Sequence, residues 1–297
     1  MDLQLEHEFV TTNGVRLHVV NAGPPQGPLV ILLHGFPEFW YGWHRQIAAL
    51  AEAGFRVMVP DQRGYNLSDK PKGIAAYRLD ILVQDIVGLI AHTGRSCAFI
   101  AGHDWGGVVA WWLALTQPAL VEKLAILNAP HPRIMRRHLL KHKVQRRKSW
   151  YVFFYQLPWL PERWFSRQGW RIGRITLTKS SQKGTFSPVD IEYYLKAWAQ
   201  PGAITAMLNW YRAAMWRPPR IPADIIIRVP TKILWGRRDY FLNQELATAS
   251  AAVCDEVSLE FIDQATHWLQ HEHPEYINEQ LQKFFTLRKN AILASDK

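Results

Sequence analysis

Cysteine is scarce in this chain. Its 297 residues include two, Cys97 and Cys254, whereas a disulfide-stapled domain needs several paired cysteines in a short chain. Each of the two lies in or beside an apolar segment, where an unpaired cysteine behaves as a small hydrophobic residue. The sequence therefore excludes a disulfide framework and predicts two buried thiols.

Long apolar runs are missing as well. The longest apolar-rich stretch, residues 106–116, is much shorter than the ~20 residues that a membrane-spanning helix needs. Residues 1–10 include Asp2, Glu6 and Glu8 and have neither the basic segment nor the apolar segment of a secretory signal peptide. We therefore expect a soluble, cytoplasmic protein.

Acidic residues are scarce in one part of the chain. Residues 133–183 contain 14 Lys and Arg and a single acid, Glu162, so this stretch carries +13. The whole chain carries +10, which leaves the remainder slightly acidic. A charge of +10 spread over the chain would suit a nucleic-acid-binding or membrane-surface protein. Because the excess is local, we expect no nucleic-acid partner and no stable membrane insertion, and we leave open peripheral membrane contact through the basic stretch.

The composition is otherwise globular, with 48% hydrophobic and 20% charged residues. Short apolar or β-branched runs predict strands at residues 15–20, 29–34, 56–60, 97–102, 123–128, 232–235 and 257–262. Segments of helical length lie between several of them, at residues 43–53, 77–92, 106–117, 243–252 and 274–286. This alternation predicts an α/β fold with a mostly parallel sheet and helices on both faces.

The alternation stops after residue 132 and resumes near residue 229. The interruption contains seven of the chain's 14 Trp, and its segments 134–148, 188–198 and 202–215 read as helices. An inserted helical lobe between two strands of a sheet is typical of a lid. The sequence therefore predicts a core domain of residues 1–132 and 219–297 and a helical cap domain of residues 133–218.

A candidate nucleophile stands between a predicted strand and a predicted helix, in Gly102-His103-Asp104-Trp105-Gly106. Small residues two positions either side of Asp104 let the strand and the helix approach closely, which lifts the central side chain onto a sharp turn called a nucleophile elbow. An ordinary helix N-cap would also explain an Asp at this place.

The order of two later polar residues favours the catalytic interpretation. Asp239 follows the next-to-last predicted strand, and His267 follows the last one. A nucleophile, an acid and a histidine in this chain order are typical of the α/β-hydrolase fold. His267, His271 and His273 form a loose cluster, but nothing supplies the ligand spacing of a structural zinc site, so we expect no metal there or elsewhere.

A fourth element is the loop His34-Gly35-Phe36-Pro37, which follows the predicted strand 29–34. In such a fold this loop contributes a backbone N–H to the oxyanion hole, and the residue after the nucleophile contributes another. We therefore predict that the backbone N–H groups of Phe36 and Trp105 form the oxyanion hole.

At these positions the sequence resembles the epoxide hydrolases of the α/β-hydrolase fold, from about Glu8 to Phe285. The residues that carry the resemblance are His34-Gly35-Phe36-Pro37-Glu38, Asp61-Gln62-Arg63-Gly64-Tyr65, Gly102-His103-Asp104-Trp105-Gly106-Gly107, Asn128-Ala129-Pro130-His131-Pro132, Asp239 and His267. The resemblance implies an α/β-hydrolase core with an inserted cap, an epoxide and water as the partners, a vicinal diol as the product, and no cofactor. Monomer and homodimer are both compatible with it.

The resemblance also implies two cap tyrosines that activate the epoxide oxygen. They match Tyr155, in Phe153-Phe154-Tyr155-Gln156, and Tyr211, in Asn209-Trp210-Tyr211-Arg212. Tyr151 is the alternative to Tyr155. We further expect the substrate to contact four residues, namely Phe36, His103, Trp105 and Trp210.

A carboxylate nucleophile indicates the same reaction class on chemical grounds. Attack by Asp104 on a saturated carbon gives an ordinary ester, which a second step can cleave, whereas attack on an acyl carbon gives only an anhydride. The predicted mechanism therefore forms an alkyl ester on Asp104, which water activated by His267 hydrolyses while Asp239 orients the imidazole.

Two other functions use the same residues differently. A haloalkane dehalogenase shares the Asp nucleophile and the following Trp, but typically has Asn where this chain has Phe36. A catalytically silent binding protein would use the basic segment 134–148, whose apolar and cationic residues resemble an interfacial helix. The complete triad with its oxyanion loop argues against the silent binding protein, and Phe36 together with the cap tyrosines argues against the dehalogenase.

Overall fold

A computed structural model describes residues 5–286 of the chain. Eight strands form one sheet in the order β1-β2-β4-β3-β5-β6-β7-β8. The strands are β1 Glu6–Thr12, β2 Val15–Ala22, β3 Leu29–Leu33, β4 Arg56–Pro60, β5 Ala98–His103, β6 Val121–Leu127, β7 Thr231–Gly236 and β8 Val257–Ile262. The pairs β1–β2 and β2–β4 are antiparallel, and all the others are parallel. The predicted mostly parallel sheet is confirmed.

The central strands are buried on both faces. Every residue of β3 is buried, and so is every residue of β5, because helices cover the sheet on both sides. A strand buried on both faces is a continuous apolar run, which is the pattern that located these strands in the sequence. Strand β1 was not predicted, since it lies at the sheet edge and its residues are largely polar and exposed.

Within residues 5–286, six α-helices lie outside the interruption. They are α1 His44–Glu52, α2 Leu79–His92, α3 Trp105–Thr116, α10 Glu245–Ala251, α11 Leu269–Glu272 and α12 Pro274–Thr286. The five predicted segments correspond to α1, α2, α3, α10 and α12, with end shifts of a few residues. Both cysteines are free as predicted, but each keeps part of its surface exposed, so neither is fully buried.

Another six helices lie between β6 and β7. They are α4 Pro132–Lys141, α5 Lys143–Lys148, α6 Trp150–Phe154, α7 Leu160–Ser180, α8 Pro188–Trp198 and α9 Ala203–Trp216. The predicted helix 134–148 is divided at His142, where the backbone is extended. Helix α7 was not predicted, and it is interrupted by left-handed backbone at Gln168, Gly169 and Trp170.

Buried tryptophans attach the inserted helices to the sheet. The indole of Trp198 donates to the carbonyl of Pro37 at 2.6 Å, and the indole of Trp210 donates to the carbonyl of Arg63 at 3.0 Å. Both carbonyls belong to loops that follow sheet strands, so the inserted helices lie over that end of the sheet. Within residues 5–286, no helix is long and apolar enough to cross a membrane.

Candidate active site

Four residues of the predicted site meet at the carboxyl ends of parallel strands. Asp104 follows β5, Phe36 follows β3, Asp239 follows β7 and His267 follows β8. Because parallel strands end at the same edge of the sheet, loops far apart in sequence come together there. This edge lies beneath the inserted helices and is the place where an α/β protein binds its ligand.

The elbow at Asp104 has the strained geometry that the sequence predicts. Asp104 adopts φ 49° and ψ −120°, a region that L-residues rarely occupy. A Cβ on Gly106 would lie 2.0 Å from the carbonyl oxygen of Leu33, and one on Gly102 would lie 2.5 Å from the carbonyl oxygen of Gly106. Only glycines allow this approach of strand and helix, which holds the Asp104 carboxylate above the sheet.

Asp104, His267 and Asp239 form a connected triad. Nδ1 of His267 lies 2.8 Å from Oδ2 of Asp239, and Nε2 lies 3.6 Å from Oδ2 of Asp104. The backbone N–H groups of Phe241 and Leu242 donate to Oδ1 of Asp239 at 2.7 and 2.9 Å. These bonds fix the buried carboxylate, which in turn orients the imidazole so that Nε2 points at Asp104.

The two acids control the charge of the imidazole. Burial lowers the pKa of His267, but the charge and hydrogen bond of Asp239, together with the charge of Asp104, outweigh burial and raise it to about 9. His267 is therefore protonated at neutral pH. Neutralising Asp104 removes one of the charges that hold the proton, so esterification of this acid lowers the pKa of His267 and lets the imidazole lose its proton and act as a general base.

The predicted oxyanion loop contacts the nucleophile directly. The backbone N–H of Phe36 donates to Oδ1 of Asp104 at 2.9 Å. A Cβ on Gly35 would lie 2.4 Å from Cβ of Asp104, so only glycine allows this loop to come so close. Trp105 is the first residue of α3, where backbone N–H groups have no partner within the helix.

A cavity of about 320 Å³ opens above the triad. Aromatic side chains from the inserted segment and from the loops after the strands make up most of its walls, and the lining residues include Phe36, Asp104, Trp150, Tyr151, Tyr155, Trp164, Tyr211, Tyr240, Phe241, His267 and Trp268. A larger open groove of about 760 Å³ lies at the opposite end of the strands, near Phe99 and Phe285, and it contains no triad residue. The chemistry therefore belongs to the smaller, aromatic cavity.

Three of the tyrosines that line this cavity, Tyr151, Tyr155 and Tyr211, belong to the inserted segment, and their surroundings differ. Burial raises the pKa of Tyr151 and of Tyr211, and the negative charge of Asp104 raises both further. Burial alone raises the pKa of Tyr155. All three hydroxyls therefore stay protonated at neutral pH, and Tyr151 and Tyr211 are the two of the three on which the charge of Asp104 acts.

The four residues predicted to contact the substrate differ in where they lie relative to the cavity. Phe36 lines the cavity, and Trp105 packs edge to face against Tyr211 with ring centroids 5.0 Å apart. His103 and Trp210 are buried below the cavity surface. Nε2 of His103 lies 2.8 Å from the carbonyl oxygen of His267, so this residue supports the triad histidine from beneath.

Glu38 is a buried residue to which the sequence analysis gave no role. Its carboxylate accepts hydrogen bonds from Tyr194 of α8, at 2.8 Å, and from His271, at 2.7 Å, and it lies 3.0 Å from Nδ1 of His103. Burial raises the pKa of Glu38, but the charge of His271 and these bonds outweigh it and hold the pKa well below the usual range. A charged Glu38 therefore connects an inserted helix to the residue that precedes the nucleophile.

Known proteins match this chain over nearly its whole length. Residues 28–168 match the family model described as alpha/beta hydrolase fold. Human epoxide hydrolase 4 is 36% identical over 93% of this chain and 77% of its own length. The AB hydrolase superfamily protein YfhM of Bacillus subtilis (strain 168) is 46% identical over 92% of this chain and 95% of its own length.

A solved structure agrees in both fold and family. The crystal structure of a Bacillus megaterium epoxide hydrolase in complex with an inhibitor superposes with a TM-score of 0.85, at 30% identity, over 94% of this chain and all of that one. The chain belongs to the epoxide hydrolases of the α/β-hydrolase fold. This epoxide hydrolase is thus an enzyme of the hydrolase class, as predicted, and the comparisons favour neither the haloalkane dehalogenase nor the silent binding protein.

Proposed function

We propose that this enzyme converts an epoxide into a vicinal diol through an ester on Asp104. The observation that carries the proposal is the unequal environment of the two carboxylate oxygens. Oδ1 is held by the backbone N–H of Phe36, whereas Oδ2 faces His267 at 3.6 Å. Oδ2 is free to attack a ring carbon, and Oδ1 then becomes the ester carbonyl oxygen, already next to an oxyanion-hole donor.

Ring opening needs a proton for the departing alkoxide. We propose that Tyr211 and Tyr151 hold the epoxide oxygen and supply this proton, because both line the cavity together with Asp104 and the charge of Asp104 acts on both. The sequence predicts Tyr155 in place of Tyr151 as the partner of Tyr211, and Tyr155 lines the same cavity. A positioned general acid contributes about 10²- to 10⁴-fold to the rate.

The second step cleaves the ester. Esterification removes the charge of Asp104, so His267 loses its resting proton, which replaces the one that the tyrosine gave to the alkoxide. The neutral imidazole then removes a proton from water, and the hydroxide adds to the carbonyl carbon of the ester. The oxyanion that forms on Oδ1 is stabilised by the N–H of Phe36 and, in our proposal, by that of Trp105. Comparable donors contribute about 3 to 4 kcal/mol each. Collapse of the intermediate releases the diol and restores Asp104.

The substrate that fits the cavity is an apolar epoxide with an aromatic or bulky group. The walls are mainly aromatic, and the volume of about 320 Å³ suits a small molecule. A panel of styrene-oxide-type and aliphatic epoxides, tested beside haloalkanes, examines this proposal. We expect diol from the aromatic epoxides and no halide release. Halide release with no diol would overturn the proposal, and Asp104→Ala provides the inactive control.

We propose that residues 133–218 act as the cap domain and that its basic surface touches anionic membranes peripherally. Trp150 and Tyr240, 52% and 63% exposed, stand at the cavity mouth. Lys148 donates to the carbonyl of Asp239 at 2.7 Å, which places the basic helix α5 beside that mouth. An apolar epoxide dissolved in a bilayer would then reach the cavity directly. The cytoplasm remains our proposed compartment, since the two thiols are unpaired.

Vesicle sedimentation tests this contact. We expect retention on vesicles that contain phosphatidylglycerol, weaker binding to pure phosphatidylcholine, and loss of retention at high salt. The double variant Lys143→Glu and Arg147→Glu should lose retention. The matched double variant Lys72→Glu and Lys283→Glu reverses two exposed charges of the core domain and should keep its retention on the vesicles. Equal retention of both variants would refute cap-mediated contact.

A further inference from the structure

Three potential metal ligands come together outside the active site. His138 lies in α4, His142 lies at the end of that helix, and Glu245 begins α10. One ligand atom from each can be chosen so that all three lie within 4.8 Å of one another. The three residues join the first helix of the inserted segment to a helix that follows β7. We call them the His138 cluster.

A hydrogen bond to the backbone fixes the ring of His138. Its Nδ1 lies 3.0 Å from the carbonyl oxygen of Ile134, and because a carbonyl can only accept, Nδ1 carries the proton. The lone pair is then on Nε2, in the neutral tautomer that metals bind. Metal-ligating histidines typically donate their other ring N–H to such an oxygen, which fixes the ring. The side chain is buried, so its position is well defined.

The other two ligands are more exposed. The ring of His142 stacks on that of His138 with centroids 4.1 Å apart, and its Nδ1 lies 3.7 Å from a carboxylate oxygen of Glu245. The side chains of His142 and Glu245 are 45% and 61% exposed. Zn²⁺ requires ligand distances of about 2.0 to 2.2 Å, and exposed side chains can rotate the short distance needed to reach them.

We propose that the His138 cluster binds a divalent transition metal of the Zn²⁺ type. Two imidazoles and one carboxylate are ligands that Zn²⁺ prefers, and they leave a fourth position for water. The carboxylate of Glu245 compensates part of the ion's charge in a basic part of the surface. A bound ion would link α4 to α10 and so fix the start of the segment that carries Tyr151. This proposal is independent of the reaction proposed for Asp104.

Zinc titration of the tag-free, metal-stripped enzyme tests the proposal, with competition from a chromophoric chelator. We expect one equivalent of Zn²⁺ to bind to the wild type and to raise its melting temperature, because a ligand that binds only the folded state stabilises it. His142→Ala and Glu245→Gln alter exposed side chains and should each weaken binding at least tenfold. Both variants should keep the melting temperature of the metal-free wild type.

A matched control separates this site from ordinary surface binding. His92 and Glu8 form an exposed pair with Nε2 and a carboxylate oxygen 3.7 Å apart, similar to His142 and Glu245. His92→Ala should bind Zn²⁺ as the wild type does. Undiminished binding by His142→Ala and Glu245→Gln, or no binding by the wild type, would overturn the proposal. Measuring epoxide turnover in the same samples keeps a failure of this proposal distinct from a failure of the proposed reaction.

Discussion

Oδ1 of Asp104 accepts a hydrogen bond from the backbone N–H of Phe36 at 2.9 Å, in the resting enzyme. The proposed oxyanion-hole donor therefore already orients Asp104 before substrate binds. The carboxylate cannot rotate freely without losing this bond, so its other oxygen stays directed at the cavity and at His267. Preorganisation of this kind lowers the barrier without a cost at the moment of reaction.

Isotope labelling tests the covalent route. In a single turnover in H₂¹⁸O with excess enzyme, we expect ¹⁸O in Asp104 and unlabelled oxygen in the diol, since water attacks the ester carbonyl rather than the ring carbon. Mass spectrometry of the active-site peptide and of the diol measures both. His267→Gln should accumulate an enzyme heavier by the mass of the substrate. Label found first in the diol would refute the ester.

Substitution of the three cavity tyrosines that belong to the inserted segment tests the assignment of the proton donors. Tyr211→Phe and Tyr151→Phe should each slow formation of the ester by about 10²-fold or more, because each removes a hydrogen bond to the epoxide oxygen. Stopped-flow tryptophan fluorescence measures this step. Tyr155→Phe is the matched control, since it removes a hydroxyl from the same cavity. A damaging Tyr155→Phe with a neutral Tyr151→Phe would favour the prediction from sequence.

The sequence alone could not choose between these tyrosines for a geometric reason. Tyr151 and Tyr155 are four residues apart on the single helical turn of α6 and its end, so they project from the same side. Both consequently line the cavity. The residues around them are aromatic as well, so this segment lacks the separate polar and apolar faces from which the buried side of a helix is recognised.

Strand-to-helix junctions were predictable because the pattern around them is local. The buried run before Asp104 and the small residues around it determine the elbow without help from distant residues. Glu38 was different, because its role depends on Tyr194 and His271, which lie far away in the sequence. The sequence did not predict edge strand β1 or helix α7, because neither has a clear periodic pattern of apolar residues. Packing against the rest of the protein, rather than local pattern, determines these two elements.

The pKa of His267 predicts how stability depends on pH. The pKa is about 9 in the folded enzyme, against an ordinary value of 6.5, so folding favours the protonated form. This stabilisation is complete below pH 6.5 and is lost as the pH rises to about 9. The free energy of unfolding should therefore fall over this range, by at most roughly 3 kcal/mol. Urea denaturation of the wild type and of His267→Gln measures it, and the variant should show a flatter profile. Parallel profiles would contradict the prediction.

The bond between Tyr194 and Glu38 should contribute to stability. Tyr194→Phe removes a buried hydrogen bond of 2.8 Å to a charged acceptor, and we expect it to lower the free energy of unfolding by about 1.5 to 3 kcal/mol. Tyr193→Phe is the matched control, because this neighbouring ring is 44% exposed. Its stability should match that of the wild type. Equal losses in the two variants would show that the bond to Glu38 has no special role.

Strain at the nucleophile predicts a gain in stability at the expense of activity. Asp104 has a positive φ of 49°, which costs an L-residue about 1 to 3 kcal/mol and costs glycine little. Asp104→Gly and Asp104→Ala both remove the carboxylate, so both should be inactive and both should lose its interaction with His267. Only the glycine variant also relieves the strain. We therefore expect Asp104→Gly to be about 1 kcal/mol more stable than Asp104→Ala in chemical denaturation, after allowing for the greater flexibility of glycine in the unfolded chain. A glycine variant no more stable than the alanine variant would mean that the elbow stores no strain at this residue.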